Sequence, residues 1–177
     1  MPFRKFIDIL KSDVNRFEIN WMSVLNIFLI RICLAVTGME RTYHPDENMQ
    51  GTEIAYKMVF GDKVDVMTTW EWIDIYSLRN IIYPAYLSIP FHILKTLNLD
   101  YNILIRLSPF FMNSIIQVIG DVYSFIITEQ MLNKKCALIL ITYSLFNRRI
   151  NELFQKTMTN GIEAVLCQIA FYYFINL

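Results

Sequence analysis

Ile103-Leu-Ile-Arg-Leu-Ser-Pro-Phe-Phe-Met-Asn-Ser-Ile-Ile-Gln-Val-Ile-Gly-Asp-Val-Tyr-Ser-Phe-Ile-Ile-Thr128 is a run of 26 residues with two charges, Arg106 and Asp121. Crossing about 30 Å of bilayer hydrocarbon takes roughly 20 mostly apolar residues in a helix. A charge at the bilayer centre costs roughly 2.5–3.5 kcal/mol on insertion scales, so such residues face other helices or a polar cavity. The stretch therefore reads as one member of a multi-span bundle, not as a lone anchor.

Four further apolar runs surround it: Trp21 to Met39, Ile81 to Leu99, the short Cys136 to Phe146, and Ile162 to Leu177. The first carries Arg31 and the second carries Pro84 and Pro90. The whole composition agrees. Of 177 residues, 55% are hydrophobic and 18% charged, against about 45–50% and about 25% in average globular chains. Disorder is excluded, because it needs low hydrophobicity and high net charge. Nucleic acid is not an expected partner, because 16 Lys+Arg balance 16 Asp+Glu. Cys33, Cys136 and Cys167 stand singly in apolar runs and read as buried thiols, not as a disulfide framework. The expected fold class is all-α, a polytopic integral membrane protein with about five spans. The last run is still apolar at Leu177, so the sequence reads as the N-terminal portion of a longer protein.

Two segments lie outside the spans. In residues 1–20, Phe3, Phe6, Ile7, Leu10, Val14 and Phe17 recur at helical spacing among charges, the pattern of an amphipathic helix on a membrane surface. Residues 40–80 form the one long polar stretch, with eight acidic residues against four Lys+Arg. Its Ile54, Ala55, Met58, Val59 and Phe60 suit a short helix lying against the bilayer and stopped by Gly61. Lys and Arg tie at four each in residues 1–20 and 40–80, so the positive-inside rule gives no orientation.

That polar stretch opens with Thr42-Tyr-His-Pro-Asp-Glu-Asn-Met-Gln50, followed by Glu53. If residues 46–54 turn helically, Asp46, Gln50 and Glu53 share a face. Paired carboxylates beside an apolar wall tune one of them toward general-base work. Equally, Asp46 suits a helix N-cap. His44 reads either as structural or as a metal ligand with Asp46 and Glu47, and no second His lies near it. A second cluster is Thr69-Trp-Glu-Trp72, then Arg79 and Tyr83-Pro84. Trp70 and Trp72 suit either a membrane interface or an aromatic wall for a lipid-linked sugar. Arg79 suits either a phosphate or a snorkelling anchor. In the third cluster, Thr157-Met-Thr-Asn160 with Glu163, Thr159 or Asn160 can cap the last helix and Glu163 can complete the box.

Taken in order, these motifs with Met58-Val-Phe-Gly61, Arg106-Leu107 and Gly120-Asp121 resemble the family 22 glycosyltransferases. Such enzymes are multi-span proteins of the endoplasmic reticulum that take mannose from dolichyl-phosphate mannose. The resemblance runs from about Arg31 to the end, over the N-terminal portion of the family's length. It implies a helical bundle of the GT-C type over residues 21–177, a cytosolic N-terminal helix and a luminal catalytic loop at residues 40–80. Met58-Val-Phe60 and Thr69-Trp-Glu-Trp72 are most similar to the branch that adds the third, α-1,2-linked mannose to the glycosylphosphatidylinositol (GPI) precursor. The alternative is mannosyl transfer to the lipid-linked N-glycan precursor, or a non-catalytic membrane subunit. The resemblance maps the catalytic acid pair onto Asp46 and Glu47. Substrate-binding positions are then His44, Gln50, Glu53, Trp70, Glu71, Trp72, Arg79, Asn160 and Glu163. No cofactor or metal is implied, since dolichyl-phosphate mannose is a substrate. The implied partners are that lipid-linked donor, a GPI-precursor acceptor and the membrane. This chain departs from the family at residues 62–68, which look inserted, at Ile73 to Leu78, and at Lys156, where an Arg is expected.

Overall fold

The computed structural model describes residues 20–38, 48–61, 68–72, 78–155 and 159–177. Within them the chain is all-helical: α1 (Trp21–Gly38), α2 (Glu53–Phe60), α3 (Ile82–Thr96), α4 (Asn102–Met131), α5 (Lys134–Phe146), α6 (Arg148–Gln155) and α7 (Thr159–Ile175). A π-helical turn, Asn48–Thr52, leads into α2, and a 3-10 turn, Trp70–Trp72, lies between α2 and α3. Each of the five apolar runs is a helix. Only the 30-residue α4 is by itself long and apolar enough to cross a membrane among the described residues. At 18, 15, 13 and 17 residues, α1, α3, α5 and α7 are shorter. The amphipathic segment expected before Asn20 lies outside the described residues.

Local chemistry sets the helix ends. Gly61 stops α2 at φ 83°, a left-handed value that costs glycine nothing, and its N–H donates to the Lys57 carbonyl at 2.8 Å. Asn133 caps α5 by accepting from the Cys136 N–H at 2.9 Å. Pro84 sits in the first turn of α3, where an N–H has no helical partner, whereas Pro90 lies inside that helix.

The packing corrects three expectations. The apolar face of α2 is covered by protein over most of its length: Ala55 and Val59 pack with Tyr83, Leu87 and Phe91 of α3 and Met112 of α4, while Met58 stays exposed. Cys33 and Cys167 are exposed rather than buried, since they lie on outward faces of α1 and α7. Arg106 is also exposed; it lies one turn from the start of α4, where a long side chain can reach polar surroundings.

Apolar residues lie outside as well as in the core. Outward positions of the helices carry Leu25, Leu29, Ile93, Ile139, Leu166 and Phe174, while Arg31, Asn113, Ser114, Gln117, Asp121 and Asn151 are buried beside the apolar clusters. At the centre, Arg31 of α1 is fully buried. Its Nε and Nη2 donate to the two carboxylate oxygens of Asp121 in α4 at 2.9 and 2.8 Å. Nη2 also donates to Ser144 Oγ of α5 at 2.7 Å, and Nη1 donates to Asn151 Oδ1 of α6. Asn151 in turn donates to the Leu145 and Asn147 carbonyls at 2.7 and 3.0 Å. One guanidinium thereby fastens four helices. Tyr123 and Tyr172, with ring centroids 5.4 Å apart, continue the core between α4 and α7.

Candidate functional site

The local chain path builds the site around Arg79. The 3-10 turn closes when the Trp72 N–H donates to the Thr69 carbonyl at 3.1 Å. The Leu78 N–H then donates to the Glu71 carbonyl at 3.2 Å, which returns the chain to the turn. Arg79 therefore stands beside Glu71, and its Nε and Nη2 donate to the two carboxylate oxygens, both at 3.0 Å. Planar, bidentate pairing of this kind fixes the guanidinium plane as well as its position. Immediately afterwards Asn80 Oδ1 accepts from the Ile82 N–H at 2.9 Å and starts α3.

Arg79 opens onto a cavity of about 560 Å³, within the usual span of ligand pockets. The turn contributes Trp72, α3 contributes Tyr83, Pro84 and Tyr86, α4 contributes Ile116, and α7 contributes Thr159, Ile162 and Glu163. Tyr86 is held there by donating its hydroxyl to the Met112 carbonyl at 2.7 Å. The indole N–H of Trp72 is buried and has no acceptor among the described residues. The wall thus offers an aromatic face and a charged fork. Those are the groups that suit a ligand with a sugar-like ring and an anionic end.

The cavity gathers some predicted residues and not others. Trp72, Arg79 and Glu163 line it, and Glu71 reaches it through Arg79. Trp70 is 57% exposed and is not among the lining residues, nor is Asn160, which is exposed. Glu53 lines a different cavity of about 300 Å³ with Thr52, Tyr56, Asp100, Asn102 and Ile105. Gln50 lies in the π-helical turn, whose wider winding replaces the regular α spacing expected from residue 46 to residue 54. His44, Asp46 and Glu47 lie outside the described residues, as does Lys156. The capping reading of the third cluster is corrected: α7 already includes Thr159 and Asn160, so neither precedes it as its N-cap. Glu163 faces the cavity instead. Tyr86 and Ile116 carried no motif and emerge as wall residues only through helix packing.

The profile of the Alg9-like mannosyltransferase family matches residues 22–177. The chain is similar to a protein named GPI mannosyltransferase 3 of Drosophila melanogaster, 31% identical over 156 residues, which are 86% of this chain and 26% of that protein. It is similar to GPI alpha-1,2-mannosyltransferase 3 of Bos taurus, 29% identical over 151 residues, which are 85% of this chain and 27% of that protein. A protein named GPI mannosyltransferase 3 of Trypanosoma brucei brucei is 33% identical over 105 residues, 59% of this chain and 18% of that protein. The chain therefore spans about a quarter or less of the length of these relatives. No solved structure matches it.

Proposed function

The chain belongs to the Alg9-like mannosyltransferase family, and from that premise we propose that its protein moves mannose from dolichyl-phosphate mannose to a GPI-anchor precursor in the endoplasmic reticulum. The observation that carries the reading is the cavity in which Trp72, Arg79 and Glu163 meet, from three segments up to 91 residues apart in the sequence. The names of the similar proteins favour the third, α-1,2-linked mannose. The apolar outward faces and the buried polar cluster around Arg31 support a multi-pass helical bundle of the GT-C type. In this reading the domain spans residues 21–177, residues 1–20 rest on the cytosolic surface, and residues 40–80 face the lumen.

The chemistry is a single displacement with inversion. Asp46 accepts the proton of the acceptor hydroxyl as that oxygen attacks the anomeric carbon, and Glu47 orients Asp46 or a sugar hydroxyl. The bond from the anomeric carbon to the phosphate oxygen breaks, and dolichyl phosphate leaves with its electron pair. A phosphate leaving group needs charge stabilisation more than it needs a proton, and Arg79 supplies it. Glu71 holds the Arg79 fork in its plane until phosphate arrives. Trp72 offers its face to the sugar. His44, Gln50, Glu53, Trp70 and Asn160 complete the substrate contacts in this reading.

The test is mannosyl transfer in membranes by the full-length protein carrying Asp46→Asn. The expected result is a loss of about 100-fold or more, the scale of general-base removal, with accumulation of GPI precursors bearing two mannoses. Transfer at near wild-type rates refutes the base assignment. Accumulation of truncated lipid-linked N-glycan precursors instead moves the acceptor to that pathway.

A further inference from the structure

A cleft of about 290 Å³ lies between α1, α4 and α5, apart from the cavity around Arg79, and the proposed chemistry leaves it unused. Ile27 of α1, Phe125 of α4 and Leu138 of α5 give it apolar walls. Asn20, Ser23 and Lys134 also line it. Asn20 immediately precedes α1 and Lys134 is the first residue of α5, so both helices start at one end of the cleft, and that end is polar. Deeper in, the cleft meets Asp121, whose two carboxylate oxygens Arg31 already holds.

The polar end is positive. Lys134 and Lys135 are both exposed, and neither forms an ion pair among the described residues. No acidic residue shares the first turn of α5 with them, although that end of a helix favours anions over cations. Trp21, 47% exposed, stands next to Asn20 at the same end, and tryptophan is enriched at the headgroup level of a bilayer. A free phosphate would meet the charge and leave the apolar walls wet. A zwitterionic lipid would fill the walls and bring a cation of its own to Lys134. The space is too small for another helix, about 10–12 Å in diameter. We propose that the cleft binds a phospholipid of net negative charge, with its phosphate on Lys134 and one acyl chain between α1, α4 and α5. The site rests on the membrane-bundle reading above, in which this end is cytosolic, and cytoplasmic leaflets carry the anionic lipids.

Photo-crosslinking of the full-length protein in lipid nanodiscs tests this. Two probes carry the same diazirine-bearing acyl chain, one on phosphatidylglycerol, which is anionic, and one on phosphatidylcholine, which is zwitterionic. Ile27 and Phe125, both half-buried, report the cleft, and their labelling is normalised to that of the whole protein. The expected result is labelling there about fivefold stronger from the glycerol probe, the ratio that about 1 kcal/mol per Lys gives. Lys134→Gln should abolish the ratio and Lys134→Arg should keep it. Equal labelling by the two probes in the unaltered protein overturns the proposal, as does a ratio undiminished in Lys134→Gln. Absence of labelling at Ile27 and Phe125, with lipid labelling elsewhere on the helices, also overturns it, because another part of the chain then covers the cleft while the membrane bundle stands. If no residue of α1, α4, α5 or α7 takes up either probe, the bundle reading falls and the lipid site falls with it.

Discussion

Replacing Asp121 with Leu isolates the clasp at the centre of the bundle. The change removes the acceptors of two charge-assisted hydrogen bonds, at 2.9 and 2.8 Å. Each such bond contributes about 1.5–3 kcal/mol, and breaking one side of a buried pair costs about 3–5 kcal/mol because the partner charge is stranded. Arg31 keeps Ser144 and Asn151 as neutral acceptors, so the expected loss lies near the lower end, about 3 kcal/mol. The partner experiment is Arg31→Met with Asp121→Leu, which removes both charges and leaves apolar side chains of similar bulk. Asn151 retains the Leu145 and Asn147 carbonyls as acceptors in that variant. The double variant should recover most of the loss, with a coupling of at least about 2 kcal/mol. The assay is reversible unfolding of the full-length protein in mixed micelles, followed by helical ellipticity. A cost below about 1 kcal/mol for Asp121→Leu, or a double variant no more stable than the single, refutes the assignment of this pair as the fastening of the bundle.

Further outcomes follow from particular contacts. A Cβ at Gly120 would meet Val165 Cγ2 at 2.8 Å, and Val165 is β-branched and stiff at χ1, so Gly120→Leu should destabilise by about 2–3 kcal/mol in the same unfolding assay. Gly120→Ala should regain stability when combined with Val165→Ala, which opens the contact. Arg79→Lys loses the bidentate fork and should lower mannosyl transfer on the order of 100-fold, measured with dolichyl-phosphate mannose in isolated membranes. Asn133→Ala removes the acceptor of the Cys136 N–H and should destabilise α5 by about 1 kcal/mol, read as a lowered unfolding midpoint.

Some of this architecture was legible before any coordinates. The five apolar runs located five helices, because sustained hydrophobicity over three or more helical turns reports burial in core or lipid without needing a partner. Gly61 announced the end of α2 because a left-handed residue is a local requirement. Arg31 and Asp121 each announced a need for company. Their pairing, 90 residues apart, and the addition of Ser144 and Asn151 were not legible, since residue type carries no register between distant helices. The same limit applied to α2, whose apolar stripe was evident while its cover, Leu87 and Phe91, was not. At the site, Trp72, Arg79 and Glu163 were marked by their motifs. The grip of Glu71 on Arg79 was invisible, because it depends on the Leu78 N–H meeting the Glu71 carbonyl. The capping reading of Thr159 failed because a local motif does not say on which residue a helix starts.

The Arg31 clasp also has a temporal side. Arg31 leaves the ribosome 90 residues before Asp121 and 120 before Asn151. At about 5–20 residues per second, synthesis separates Arg31 from its counter-charge by roughly 5–18 s. Throughout that interval α1 holds its cation without the carboxylate that pairs with it in the finished fold. A lesion at Asp121 extends that waiting state to the lifetime of the protein.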